Sequence, residues 1–305
     1  MIIAEQVTKR FGEFCALNDL NCKIPRGCIY GIIGSNGAGK STFLRLITGV
    51  YKTDIGTITM SGEKIYENPK LKAKILYVPD ELFFLGNANL ERMAKMYASL
   101  HGSRFDHKRF RDLTEIFRLN PKMGINTFSK GMKRQAAIVL GLACNPEYIF
   151  FDESFDGLDP VMRNLVKEII KNDVVNRGAT AIITSHSLRE LEETCDQLAL
   201  LHKGGIVFES DIQNLATTLF KIQIAFSYPF EEKLFSQLSI QNYQKKGSVA
   251  SFIVRGDREE TASFLKTKDP ILLDVLPLSL EEVFVHEMEA LGYGLEKRNG
   301  LGGVK

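Results

Sequence analysis

Cys28-Ile29-Tyr30-Gly31-Ile32-Ile33 runs directly into Gly34-Ser35-Asn36-Gly37-Ala38-Gly39-Lys40-Ser41. The first six residues are a compact apolar run after Pro25-Arg26-Gly27, which is the pattern of a buried strand. The next eight fit G-x-x-x-x-G-K-[ST]. From Ser41 to about Val50, apolar residues at Phe43, Leu44, Leu46, Ile47 and Val50 fall at helical spacing, with Gly49 near the end. Strand, glycine-rich turn and helix in that order are the setting the motif requires. Small residues let backbone N–H groups turn inward around phosphate oxygens. The helix N-terminus adds partial positive charge. Lys40 reaches the β and γ phosphates as a point charge, and the Ser41 hydroxyl suits Mg²⁺. Alone, the stretch implies a nucleotide-phosphate binder.

Two further apolar runs, 147–152 and 179–185, are separated by helix-like segments, and this alternation argues for an α/β sheet. The first delivers Asp152-Glu153 to a strand end, where ligands sit in open α/β folds. Asp152 suits Mg²⁺ binding through water, and Glu153 suits polarising or deprotonating an attacking water. Before residue 33 the chain reads as short strands. Thr57 to Met60 alternates into a Ser61-Gly62 hairpin turn, and residues 81–145 are mostly helical in pattern.

Many phosphate-loop proteins share these features, and no N-K-x-D element for guanine is present. The discriminating stretch is Phe128-Ser129-Lys130-Gly131-Met132-Lys133-Arg134-Gln135, which opens the apolar helix from Ala136. It resembles the signature sequence of the nucleotide-binding subunits of ABC transporters. The variant has Lys130 and Met132 where glycines are usual, as is common in subunits serving ABC-2-type membrane partners, often exporters. The resemblance covers residues 1 to about 212. It implies an α/β P-loop NTPase core of ABC ATPase type, with an antiparallel β subdomain and a helical subdomain at about 81–145. It implies that ATP is bound by Phe11, stacking on adenine, by Gly34 to Thr42 (Gly34, Ser35, Asn36, Gly37, Ala38, Gly39, Lys40, Ser41, Thr42) and by Asp159 of Gly157-Leu158-Asp159. Lys40, Glu153 and His186, the residue that senses the γ-phosphate, are the expected catalytic set. Ser129 and Gly131 would face the γ-phosphate held by an opposing subunit. Ser129 can cap its helix and Gly131 permits close backbone approach. Two chains, identical or paralogous, would then sandwich two ATP molecules.

One departure stands out. Where the family usually places a glutamine, this chain has Asp80, in Tyr77-Val78-Pro79-Asp80-Glu81. With Ser41 and Asp152, Asp80 completes the expected Mg²⁺ contacts. The Leu82-Phe83-Phe84-Leu85 run after it lies where the family accepts a coupling helix, and core packing is the alternative reading.

Past residue 212 the order is strand (219–226), helix (230–238), strand (240–245), strand (249–254), helix (258–267), strand (271–277). This β-α-β-β-α-β order describes a small α+β, ferredoxin-like accessory domain over 213–305. A last helix from Ser279 to about Leu291 carries a capping box with Glu282. No histidine here has ligand-like spacing, and His101 and His107 read as loop residues.

Composition closes off other classes. The 305 residues suggest about two domains. A 44% apolar and 25% charged composition excludes wholesale disorder. With 39 basic and 37 acidic residues the net charge is +2, so no nucleic-acid partner is expected. The longest apolar run, Ala136 to Cys144, falls well short of the ~20 residues of a membrane span, and no signal peptide begins the chain. The five cysteines have no C-x-x-C spacing and read as reduced thiols. The expectation is a cytoplasmic ATPase, peripheral on the inner face of the cell membrane through a separate membrane-spanning partner, acting in export. An ABC protein that transports nothing, or a regulatory ATP binder, is the alternative. The single Walker loop, the lack of a charged linker and the lack of coiled-coil inserts weigh against the first. The intact Lys40, Asp152, Glu153 and His186 weigh against the second.

Overall fold

The computed structural model describes residues 1–153, 155, 157–211, 219–279, 281–283 and 285. They cluster into two compact units, 1–209 and 210–305.

The first unit is built around a six-stranded sheet. In chain order its strands are β3 (Ile29–Ile33), β6 (Ile75–Val78), β7 (Tyr148–Asp152), β8 (Thr180–Ser185), β9 (Gln197–His202) and β10 (Gly205–Asp211), arranged β10-β9-β3-β8-β7-β6. The pairings β6–β7, β7–β8, β8–β3 and β3–β9 are parallel. Every residue of β3, β7 and β8 is buried, which is why these strands read as continuous apolar runs rather than alternating ones. Helix α1 (Lys40–Ile47) follows β3 and buries Phe43, Leu44, Leu46 and Ile47. Those side chains join one core cluster with Tyr30, Phe150 and Ile182 of the parallel sheet and Val7, Leu17, Leu20 and Met60 of a second, antiparallel sheet.

That sheet has the order β2-β1-β4-β5, from β1 (Ile2–Phe11), β2 (Phe14–Ile24), β4 (Ile55–Met60) and β5 (Glu63–Lys64). The expectation of short strands before residue 33 is corrected here, because β1 and β2 are 10 and 11 residues long. Their register shifts between Ala4 and Val7 and again before Lys9, with positive φ at Gln6 and Asp19. These bulges break the two-residue alternation that makes a long strand legible. A short helix, α2 (Pro69–Lys72), precedes β6. The helical part follows β6 as α3 (Leu90–His101), α4 (His107–Ile116) and α5 (Lys130–Leu142), and α6 (Pro160–Arg177) and α7 (Leu188–Glu192) flank β8. His101 closes α3, stacked on Tyr97, and His107 opens α4, so the loop reading of both is corrected.

In the second unit β11 (Leu219–Ala225), β12 (Ile240–Lys246), β13 (Val249–Arg255) and β14 (Leu272–Pro277) form an antiparallel sheet in the order β12-β13-β11-β14, with α8 (Arg258–Lys266) before β14. The expected helix over 230–238 is a single 3₁₀ turn, Glu232–Phe235. Lys245 sits at the head of this turn. Its Nζ lies 4.3 Å from the Phe230 ring centroid and donates to the Phe230 carbonyl, an acceptor that a helix begun there would use. Phe226, Phe230, Phe235 and Phe252 make the core of this unit. The expected last helix is described only at its start, where Ser279 and Glu282 exchange capping-box hydrogen bonds of 2.9 and 3.3 Å. Its remainder, including His286, and the expected 212/213 boundary lie outside the described residues. Among the described residues no helix is long and apolar enough to cross a membrane.

Candidate functional site

The carboxyl ends of β3, β7 and β8 meet at one sheet edge. Ile33 pairs with Ser185 and Asp152 with Thr184. The loop after β3, the carboxylates ending β7 and His186 just past β8 therefore leave the sheet in register, at the edge where open α/β sheets bind ligands.

The loop's shape is enforced locally. Gly39 has φ +111°, and a Cβ there would stand 2.7 Å from the Ala16 carbonyl oxygen and from Leu17 Cδ2. Only glycine satisfies both constraints. Lys40 follows, 4% exposed. Its Nζ donates to the Gly34 carbonyl at 2.7 Å and the Ser35 carbonyl at 3.2 Å, and lies 3.0 Å from Glu153 Oε1. Asn36, Gly37, Gly39, Lys40, Ser41, Thr42 and Glu153 line one pocket of about 280 Å³ with Phe14 and Ala16, while Ala38 is buried beside it.

Asp152 is 1% exposed. Its Oδ1 accepts from Ser41 Oγ at 2.9 Å and lies 3.2 Å from Thr184 Oγ1, and its Oδ2 accepts from Tyr77 Oη at 3.1 Å. A buried carboxylate held by several donors is fixed in orientation. Burial, reinforced by the Asp152 charge, pushes the Tyr77 phenol well above its ordinary range, so Tyr77 remains a donor at neutral pH. The donor set fits Mg²⁺. Ser41 and Asp152 offer hard oxygen ligands, and among the described residues no cluster of three or more His, Cys, Asp or Glu could cage a metal unaided. Mg²⁺ is ordinarily held by one or two protein oxygens plus substrate phosphates.

Other expected residues lie outside this pocket. Phe11 is 44% exposed, edge-on to Tyr51 with ring centroids 5.5 Å apart, and Phe14, its partner across the β1–β2 turn, lines the pocket instead. Ser129 caps α5, accepting from the Met132 N–H at 3.2 Å. A Cβ on Gly131 would sit 2.7 Å from the Gly157 carbonyl oxygen, so the start of α5 packs directly on the loop before α6. Asp159 caps α6, accepting from the Met162 N–H at 3.0 Å. Asp80 follows β6 with its side chain 55% exposed and Oδ1 3.2 Å from Arg134. His186 is exposed. Phe83 and Leu85, at 87% and 51% exposure, present the apolar run after Asp80 to the surface.

Sequence reasoning missed Phe14, Tyr77, Arg134 and Thr184. Phe14 could have been found from the tight Gly12-Glu13 turn, which sets it opposite Phe11. The other three act because β6, β8 and α5 each meet the end of β7 in space, for which local sequence carries no signal.

The ABC transporter family model matches residues 17–156. The ABC transporter ATP-binding protein YtrB of Bacillus subtilis (strain 168) is 30% identical over 285 residues, 93% of this chain and 97% of that protein. The linearmycin resistance ATP-binding protein LnrL of the same organism is 35% identical over 214 residues, 68% of each chain. Among solved structures, the dimeric post-hydrolysis state of the ATP-binding cassette MJ0796, bound to ADP and Pi, shares the fold with a TM-score of 0.63 at 23% identity, covering 70% of this chain and 99% of that one. The chain belongs to the ATP-binding proteins of ABC transporters, which bind nucleotide and hydrolyse ATP in the service of transport.

Proposed function

We propose that this chain is the ATPase subunit of a two-component exporter, hydrolysing ATP at an interface between two such subunits and driving a separate membrane-spanning partner. The observation that carries the reading is the convergence of Lys40, Ser41, Asp152 and Glu153. Lys40 Nζ lies 3.0 Å from Glu153 Oε1, and Ser41 Oγ lies 2.9 Å from Asp152 Oδ1. A triphosphate laid along the loop would place its terminal phosphate beside Lys40, with the Glu153 carboxylate in reach of an attacking water. Ser41 and Asp152 would hold Mg²⁺, with Asp80 the further ligand that the resemblance implies, and the ion would supply charge neutralisation to the phosphates. Phe11 and Phe14 offer apolar faces for the base, and His186, just past β8 at the same edge, would sense the γ-phosphate.

None of Ser129, Gly131 and Asp159 lines the pocket around Lys40. This supports a site completed by a second subunit, whose α5 N-terminus would face the γ-phosphate. ATP binding the closed pair better than the open one then drives closure, and hydrolysis releases it. The dimeric state of MJ0796 bound to ADP and Pi is the kind of state that such a cycle would pass through. The exposed Phe83 and Leu85 suit a docking site for the membrane partner, which would hold the protein at the inner face of the membrane. The signature variant and the linearmycin-resistance relative favour export. On this reading residues 1–212 form the nucleotide-binding domain, with its helical subdomain at about 81–145. Residues 213–305 form a ferredoxin-like accessory domain, a reading supported by the β12-β13-β11-β14 order.

The test is the mass in solution of Glu153→Gln, with and without ATP. This variant should keep nucleotide and lose hydrolysis, and therefore shift from monomer to dimer only when ATP is present. A monomer under saturating ATP would overturn the two-subunit site for this chain alone.

A further inference from the structure

Glu153 has φ +48°, a left-handed backbone that side-chain-bearing residues adopt only where neighbours enforce it. Two neighbours do so from opposite sides. The Glu153 N–H donates to Thr184 Oγ1 at 3.0 Å, and the Glu153 carbonyl accepts from Arg134 Nη1 at 3.2 Å. Thr184 is itself pinned beside Asp152 Oδ1. Arg134 is the larger commitment, a guanidinium only 1% exposed inside the protein. Its Nη2 donates to the Asp80 carbonyl at 2.6 Å and lies 3.2 Å from Asp80 Oδ1. One planar fork therefore spans the backbone of two segments while standing on α5, one turn past the Ser129 cap.

We infer that Arg134 is a positioning residue for Glu153, holding the carboxylate-bearing backbone in its left-handed turn and locking it to the backbone at Asp80. The inference rests on the catalytic reading of Glu153. Burying a guanidinium is unfavourable unless its donors are used, and here both Nη atoms are engaged, by main-chain carbonyls on two functional segments and by one carboxylate oxygen. A lysine would keep the charge but lose the fork, because an ammonium is a point donor and cannot reproduce the planar spread. Displacement of either segment is thereby transmitted to the other through one rigid group. Strain at Asp80 would change where Glu153 points.

The test compares Arg134→Lys, Glu153→Gln and the double variant in the full chain, reading turnover and the affinity for a fluorescent ATP analogue. Arg134→Lys should bind the analogue within about threefold of wild type and lose turnover by about 100-fold, the loss that a misplacement near 1 Å brings. On the Glu153→Gln background the same change should have no further effect on the residual rate, because a residue acting through Glu153 has nothing left to position. Wild-type turnover in Arg134→Lys beside an inactive Glu153→Gln would overturn the role of Arg134 alone. So would a parallel loss of turnover and nucleotide affinity, or a further loss in the double variant, since each marks a merely structural side chain. Wild-type turnover in Glu153→Gln would overturn the reading of Glu153 itself. Should Arg134→Lys fail to fold, Thr184→Val removes the opposite clamp. It must show the same split, with turnover lost and affinity kept, or the clamp is refuted.

Discussion

Burial decides the chemistry of the thiols. Cys22, Cys144 and Cys195 are buried, whereas Cys15 and Cys28 are half-buried. Burial pushes Cys22 and Cys144 up to about 12, and burial with the nearby Asp196 charge pushes Cys195 up as well. A thiol at about 12 is thiolate in only about one molecule in ten thousand at pH 8, and the thiolate is the nucleophile. With an aromatic disulfide reagent at pH 8, the native protein should show at most two fast thiols, rising to five in denaturant. A third fast thiol in the native state would contradict the buried positions. The sign of the pH dependence follows. Below the ordinary value of 9.0, folded and unfolded chains both hold these protons. Between there and about 12 the unfolded chain releases protons that the folded chain keeps, so stability falls as pH rises through that window. Cysteine spacing alone indicated free thiols, but which of them are buried depends on strands meeting far along the chain. The same holds at the candidate site. Lys40, Asp152 and Glu153 are legible because each stands in a local motif. Arg134 stands in the same signature-like run as Ser129 and Gly131, but nothing in that run singles it out, and its partners Asp80 and Glu153 come from separate loops.

At the scale of elements, one charge cluster fastens the helical part of the first unit to the parallel sheet's flank. Arg109 on α4 contacts both oxygens of Asp173 on α6, at 2.6 and 2.7 Å, and Asn145 Oδ1 at 2.7 Å. Arg177, one turn on, donates to the same carboxylate at 2.8 and 3.0 Å. The Asp173 side chain is 8% exposed. Removing it leaves two guanidiniums facing each other around a partly buried hole. Asp173→Ala should therefore cost about 3 kcal/mol, the lower end for breaking a buried pair. Urea unfolding is the check, and a loss under about 0.5 kcal/mol, ordinary for a surface substitution, would show that the cluster is screened by solvent. Legibility at this scale follows the physics of each element. β3, β7 and β8 are visible as apolar runs because both their faces are covered. β6 is an apolar run only four residues long, the shortest that reads as a strand, and its burial alternates. The Glu232–Phe235 segment has apolar spacing that suits a helix, yet it closes only a single 3₁₀ turn.

For the whole molecule, each unit has a core of its own. In the first, aliphatic, tyrosine and phenylalanine side chains close around α1. In the second, phenylalanines pack with ring centroids as near as 4.7 Å. A single all-or-none transition is not the expectation for a chain with two cores. Every group placed at the nucleotide site, from Phe14 to His186, belongs to residues 1–209. A ligand stabilises only the folded unit that binds it, by about 2.7 kcal/mol at a hundred times its dissociation constant. For a unit of this size that corresponds to about 5–10 °C. Calorimetry of Glu153→Gln, which should hold ATP through the scan, ought to resolve two transitions, with ATP and Mg²⁺ raising one by that amount and leaving the other in place. If both transitions rise together, the phenylalanine core is thermodynamically coupled to the nucleotide and the two units unfold as one. If neither rises, Lys40 and its loop do not hold ATP in the folded chain.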